Sequence, residues 1–227
     1  MFLRRLLLEN SVRFPHLLKS EILQGFDIGF KKKFLNTCIV RTYPEPTTIY
    51  EQGELAHNFV LLAHGFIDVF YAGEDGLEVF VTRIKKGETL GEMETISGEP
   101  CAASCKTSEN AIVLVCMPEQ IMAALQEYRF IENITRIFYK RLLGDNKRKH
   151  LTQFGSVGDR LRSYLYVLSE NGGRVPETQS YLANVVGCSR QTINRELALL
   201  REEGLIAQSG GDIAVLDRAA LGRWLDT

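Results

Sequence analysis

The stretch Leu182-Ala183-Asn184-Val185-Val186-Gly187-Cys188-Ser189-Arg190-Gln191-Thr192-Ile193-Asn194-Arg195-Glu196-Leu197 reads as an apolar helix, a glycine turn and a second helix opened by polar residues. Gly187 stands where the chain turns tightly between helices, a place that favours the residue with no Cβ penalty at positive φ. Ser189 supplies an N-cap oxygen for the second helix. On that helix Ile193, Leu197 and Leu200 form an apolar stripe, while Arg190, Gln191, Thr192, Asn194 and Arg195 carry the groups suited to base edges and phosphates. A helix-turn-helix also occurs in ordinary helical domains, where exposed Arg and Gln only meet water. The next residues favour DNA: Leu205-Ile206-Ala207-Gln208, a turn at Ser209-Gly210-Gly211-Asp212, and Ile213-Ala214-Val215-Leu216 have the pattern of a hairpin. The reading is a winged helix-turn-helix with an exposed face for double-stranded DNA.

Upstream, Phe154-Gly155-Ser156-Val157-Gly158-Asp159 reads as a hinge, and Ser156 with Asp159 can cap a helix from Arg160 to Glu170 that Asn171-Gly172-Gly173 ends. A long helix is expected from about Arg129 to Gln153, interrupted at Gly144-Asp145-Asn146. Its apolar residues Phe130, Ile134, Ile137, Phe138 and Leu142 recur at helical spacing. Two readings fit: a helix lying on its own barrel, or a dimer seam. The seam is preferred, because helix-turn-helix proteins commonly read two half-sites as dimers. Pro118 and Glu119 open a shorter helix running to about Gln126.

Between Cys38 and Cys116 the pattern changes to short apolar runs punctuated by glycine: Phe59-Val60-Leu61-Leu62, Phe66 to Tyr71, Glu78 to Val81 and Ala111 to Val115, separated by turns such as Glu74-Asp75-Gly76 and Lys86-Gly87. Strands about every ten residues imply a β-sandwich or barrel. A mixed helical stretch, Ser20 to Phe26 and Phe30 to Leu35, precedes it.

Composition sets bounds. The chain has 227 residues, 45% hydrophobic and 24% charged, with net charge −1. The part after Gly155 is no more basic than the rest, so DNA binding must rest on a local arginine cluster rather than on a basic domain. The apolar runs near Met1 are too short for a signal or a transmembrane span, which predicts a cytoplasmic protein without a membrane partner. Five cysteines with no Cys-x-x-Cys pair predict reduced thiols. Cys101 and Cys105 are the only close pair, and on one strand their Cα atoms would stand roughly 13 Å apart, beyond disulfide reach. His16, His57, His64 and His150 have no pair at ligand spacing, and there is neither a Gly-x-Ser-x-Gly elbow nor a phosphate loop. A cupin-like metal-dependent enzyme is thereby disfavoured, and no cofactor or catalytic residue is expected.

A β-roll, a long helix, a hinge and a winged helix-turn-helix in that order resemble the Crp/Fnr family of bacterial transcription regulators, over roughly Leu35 to Leu216. Val186 to Arg195 is very close to the family's recognition motif, and Gly91-Glu92-Met93 looks like the opening of its cyclic-nucleotide phosphate cassette. The resemblance implies an α+β chain: an N-terminal jelly-roll-like sensor domain (1–128), a dimerisation helix (129–153) and a DNA-binding domain (154–227). It implies a homodimer, with RNA polymerase as a further partner. It implies base reading by Arg190, Gln191 and Arg195 and anchoring by Thr178, Ser189 and Thr192, with Asn194 adding a second amide. Gln191 stands where many relatives have Glu, and Gln can both donate and accept.

The cassette departs from the family at one decisive place. Nucleotide-binding members carry an arginine about eleven residues after the glycine, where this chain has Pro100-Cys101-Ala102-Ala103-Ser104. Losing that guanidinium removes the strongest donor for a cyclic phosphate. The segment from Gly87 to Ala103 adds Glu88, Glu92, Glu94 and Glu99 with no Lys or Arg, a field that repels an anion. The expected effector is therefore a less polar small molecule near Gly91, Glu92, Met93, Ala102 and Ala103, not cyclic AMP. A redox- or haem-responsive regulator is the alternative, with His64 or His57 as haem candidates. The thiolate group for an iron–sulfur cluster is absent, since only Cys38 precedes Cys101.

Overall fold

A computed structural model describes residues 9–73, 78–169, 173–175, 178–209 and 212–223. The expected turns at Glu74-Asp75-Gly76, Asn171-Gly172 and Gly210-Gly211, and the start of the chain, lie outside those residues. The chain divides into two compact units, Met1–Tyr139 and Lys140–Thr227.

In the first unit α1 (Asn10–Arg13) and two 3-10 turns (Pro15–Lys19, Glu21–Leu23) lead into α2 (Ile28–Thr37), capped by the Asp27 carboxylate accepting from the Phe30 N–H at 2.9 Å. The helix expected from Ser20 to Phe26 is thus no more than a short 3-10 turn. There follow β1 (Ile39–Tyr43), β2 (Thr48–Tyr50), β3 (Phe59–His64), β4 (Ile67–Ala72), β5 (Glu78–Ile84), β6 (Thr89–Leu90), α3 (Glu92–Ser97), β7 (Ser104–Thr107), β8 (Ala111–Cys116), α4 (Pro118–Ala124) and the start of α5 (Tyr128–Phe154), whose residues after Tyr139 belong to the second unit. Two four-stranded antiparallel sheets result, in the orders β1-β8-β3-β6 and β2-β7-β4-β5.

The apolar runs of β3 and β8 are continuous because both faces of these central strands are covered. Val60, Leu62, Val113 and Val115 pack with Tyr50, Ile67, Val69 and Ile84 in one core. Phe59, Leu61, Leu114 and Cys116 point the other way, into a core with Phe34 and Leu35 of α2, Ile121 of α4 and Phe130, Ile134 and Ile137 of α5.

That second core corrects the reading of α5. Phe130 (0% exposed), Ile134 (5%) and Ile137 (8%) are buried against their own sheet, and Phe138 packs half-buried beside them. Helical spacing records that a face is buried, not against which chain. Buried Asn133 fixes the same placement, its Nδ2 donating to the carbonyls of Ile22 (3.0 Å) and Gln24 (2.9 Å). Leu142 instead is exposed, as are Ile131, Tyr139 and Leu143. The expected interruption is also absent: α5 runs unbroken through Gly144-Asp145-Asn146. One helical glycine costs only about 1 kcal/mol relative to alanine, which neighbouring turns offset.

The second unit contains α6 (Val157–Leu168), β9 (Arg174–Val175), α7 (Gln179–Val186), α8 (Arg190–Glu202), β10 (Ile206–Ser209), β11 (Asp212–Val215) and α9 (Arg218–Leu221), with its strands ordered β10-β11-β9. Helix α6 opens on the expected capping box: the Ser156 hydroxyl accepts from the Asp159 N–H at 3.1 Å, and the Asp159 carboxylate from the Ser156 N–H at 3.0 Å. Leu161, Leu165, Leu182, Val186, Ile193, Leu197, Ile206 and Ile213 are all buried.

The two fates of the α5 stripe are separable by stability. Phe130→Ala is expected to cost about 3–5 kcal/mol, as for a large-to-small change in a core, whereas Leu142→Ala stays within about 1 kcal/mol in the monomer. Urea denaturation at low protein concentration checks both, and equal losses would overturn the packing described.

Candidate nucleic-acid interface and sensor cassette

Three caps hold the two helices of the turn in place. The Thr178 Oγ1 accepts from the Tyr181 N–H (3.2 Å) at the start of α7. At its end Gly187 adopts φ 70°, ψ 50°, which lets the Cys188 N–H reach the Ala183 carbonyl at 3.0 Å. Ser189 then caps α8, its Oγ accepting from the Thr192 N–H (3.1 Å) and lying 2.9 Å from Thr192 Oγ1. A further clamp escaped the sequence reading. Arg160 of α6 donates from Nε to the Val186 carbonyl (3.0 Å) and from Nη1 to Gly155 (3.1 Å), satisfying the last turn of α7. A lone arginine on a helix gives no sequence signal for such a role.

Helix α8 separates two chemistries around its circumference. Ile193, Leu197 and Leu200 are at most 2% exposed, whereas Arg190, Gln191, Asn194 and Arg195 all face outward and Thr192 is half-buried. Those four exposed residues fall at i, i+1, i+4 and i+5, one continuous stripe of donors and amides. No acid occupies the first turn of α8, so the partial positive charge of its N-terminus adds to Arg190 unopposed there. Arg195, itself exposed, pairs with the largely buried carboxylate of Glu196 (3.2 Å). Thr178, Ser189 and Thr192 stand at helix N-termini, where the hydroxyl oxygen serves the cap.

The expected effector residues of the first unit are arranged differently. Gly91 has φ +84°, and a Cβ there would lie 2.7 Å from the Tyr50 hydroxyl. Tyr50, which the sequence reading missed, fills the space beside the cassette glycine and donates to the Asn58 carbonyl at 2.9 Å. Burial above all, with nearby thiols and Glu92, pushes its pKa up, so it remains a protonated donor. Glu92 is fully buried and accepts from the Thr89 hydroxyl at 2.9 Å. Met93 and Ala102 face outward, and Ala103 packs half-buried on the inter-sheet core. Arg83 is engaged elsewhere, bidentate to Asp68 (2.6 and 2.9 Å) and 3.7 Å over the Phe66 ring. His57 and His64 are exposed.

None of these residues lines the open cleft of about 450 Å³ formed by Phe30, Lys33, Phe34 and Thr37 of α2 with Gln120 and Ala123 of α4. Beside this cleft the thiols of Cys38 and Cys116 meet, Sγ to Sγ 3.0 Å. Cys101 precedes β7, which holds Cys105, so the two do not share a strand, and both are buried in the inter-sheet core. Among the described residues no helix is long and apolar enough to cross a membrane.

Comparisons with known proteins place both units. The family described as cyclic nucleotide-binding domain matches residues 40–128, and the Crp-like helix-turn-helix domain matches residues 159–224. The chain is 27% identical over 184 residues to the cyclic AMP receptor protein of Thermus thermophilus, covering 80% of this chain and 85% of that one. It is 24% identical over 192 residues to the cAMP-activated global transcriptional regulator CRP of Pasteurella multocida, covering 80% and 92%. Among solved structures, the Thermus thermophilus catabolite activator protein matches with TM-score 0.54 at 25% identity, covering 90% of this chain and 98% of that one. The c-di-GMP responsive global regulator CLP of Xanthomonas campestris shares the fold, with TM-score 0.68 at 23% identity and coverage of 84% and 100%.

Proposed function

The chain belongs to the Crp/Fnr family of DNA-binding transcription regulators, and from that premise we propose that it acts in the cytoplasm as a homodimer on a two-half-site operator, under control of a small molecule other than cyclic AMP. The observation that carries the DNA reading is the exposed stripe Arg190, Gln191, Asn194 and Arg195 on a helix whose opposite face is fully buried. Such a helix enters the major groove by its N-terminal residues. Arg190 and Arg195 each present a fork matched to guanine O6 and N7, and Gln191 a donor and acceptor matched to adenine. Thr178, Ser189 and Thr192 bring helix N-termini to phosphates, where their hydroxyl protons and the neighbouring N–H groups position the protein without reading sequence. RNA polymerase is the further partner this role requires, and no catalytic step is assigned.

The dimer seam is proposed on the exposed apolar residues of α5: Ile131, Tyr139, Leu142 and Leu143, at helical spacing. Of the residues expected at a seam from sequence, Leu142 alone faces outward, and a second copy of the same helix would cover it. Two features support an effector other than cyclic AMP. Ala102 and Ala103 stand where the phosphate-pairing arginine would be, and Tyr50 occupies the space against Gly91.

Three measurements test this reading. Arg195→Ala is expected to cost about 1–3 kcal/mol per half-site and relax preference at one guanine, Thr192→Ala to weaken all sites alike, and Gln191→Glu to change the preferred base by removing the amide donor. Competition binding against half-sites varied at single bases decides, and an unchanged ranking for Gln191→Glu removes that residue from the readers. Tyr139→Asp combined with Leu142→Asp is expected to give monomers in sedimentation velocity at micromolar concentration, with the fold intact by circular dichroism; a dimer that persists places the seam elsewhere. Calorimetric titration with cyclic AMP is expected to give no saturable heat at micromolar concentration, and a saturable signal overturns the pocket reading.

A further inference from the structure

Cys38 and Cys116 lie far apart in sequence and are brought together by the first sheet. Strand β1 pairs with β8 antiparallel from Ile39↔Val115 onward, and Cys38 and Cys116 are the next pair along the same register. Their sulfurs stand 3.0 Å apart, about 1 Å beyond a covalent S–S bond. The Cys38 N–H is turned away from β8 to close α2 on the Leu35 carbonyl (3.2 Å), leaving the two side chains facing each other rather than a backbone bond. Cross-strand neighbours of this kind fall in the Cα separation that disulfides adopt, so closing the bond needs rotation of side chains and little movement of backbone.

The pair is buried yet has a way in. Cys38 is 6% exposed and Cys116 is fully enclosed. Thr37 and Gln120 line the cleft between α2 and α4, and the Gln120 amide sits 3.8 Å from the Cys38 sulfur, so the thiol lies directly behind a side chain of the cleft wall. The cleft walls include the rings of Phe30 and Phe34, against which a flat aromatic reagent can pack, together with the charged Lys33, Glu119 and Glu127. Cys116 is fully buried, with its sulfur against that of Cys38. Burial, and then the neighbouring thiol, raise the Cys116 pKa well above the ordinary range, which suits the second and slower partner of an exchange.

We infer that Cys38 and Cys116 form a reversible redox site, in which a low-mass disulfide entering the α2–α4 cleft is reduced while the two thiols close an intramolecular disulfide. The Cys38 thiolate attacks one sulfur of the entering disulfide and expels the other half as a thiol. The Cys116 thiolate then attacks the Cys38 sulfur of the mixed disulfide and expels the second half. Two protein thiols are oxidised, one low-mass disulfide is reduced to two thiols, and the two protein protons pass to the leaving groups. The product ties the C-terminal end of α2 to the end of β8, immediately before α4. The site is independent of the DNA-reading helix and of the cyclic-nucleotide cassette, so it stands or falls apart from the proposed function.

The test treats the full-length native protein with dithiodipyridine, an aromatic disulfide of the expected class, followed by peptide mapping without reduction. The expected product is a peptide linked between Cys38 and Cys116, with no pyridyl adduct retained at either, and dithiothreitol restores both thiols. Cys116→Ser is expected to trap the pyridyl mixed disulfide on Cys38, while Cys38→Ser leaves Cys116 unmodified over the same time. Should either variant fold poorly by circular dichroism, the wild-type map decides alone. A pyridyl adduct that persists on Cys38 in the wild type, a link to Cys101 or Cys105 instead, or both thiols remaining free after prolonged exposure while half-exposed Cys188 reacts, each overturns the inference.

Discussion

Burial of β3 and β8 on both faces is the constraint from which the rest of the first unit follows. Each strand must place alternate side chains in two different cores, one between the sheets and one beneath the helices. A strand covered on one side only would alternate with polar residues. These two do not, and the chain must therefore supply a second covering layer. Helices α2, α4 and α5 are that layer, and Phe34, Ile121 and Phe130 are the side chains that meet it. The aromatic group Phe26, Phe30, Phe34 and Phe130, with ring centroids 4.0 to 6.5 Å apart, spreads this contact over three segments of chain.

The same logic assigns α5 two kinds of apolar residue. Phe130, Ile134 and Ile137 are consumed by the core of the first unit, and Asn133 locks their register by donating to two main-chain carbonyls. The exposed remainder, Ile131, Tyr139, Leu142 and Leu143, has no function in the monomer's core. Water contact with such a stripe is unfavourable.

In the second unit the division of α8 is set by burial and then exploited chemically. Three aliphatic side chains seat the helix, and their burial leaves the opposite stripe free of any structural duty. The first turn is held by Ser189 and the preceding turn by Gly187 and Arg160, so Arg190 and Gln191 project from a fixed origin. Fixing the helix before DNA arrives lowers the ordering cost of the complex. In the first unit no Lys or Arg occurs from Gly87 to Ala103, and the tyrosine beside Gly91 takes up space with a protonated hydroxyl.

Local chemistry determined much of this protein from sequence alone. The glycine at 187, the serine caps at 156 and 189, the exposed and buried stripes of α8 and the hairpin after it are all short-range consequences of φ, capping and period, and each was legible in a window of a few residues. The strand runs were legible in the same way, as was the lack of any Lys or Arg from Gly87 to Ala103. What only the tertiary structure decided involves partners distant in the chain. An apolar helical stripe looks alike whether it meets its own sheet or a second molecule, so the fate of Phe130, Ile134 and Ile137 was open until β3 and β8 were seen beneath them. Tyr50 reaching Gly91, Arg160 reaching Val186 and Cys38 meeting Cys116 leave no periodic trace, because strand pairing and helix packing create those contacts across tens of residues.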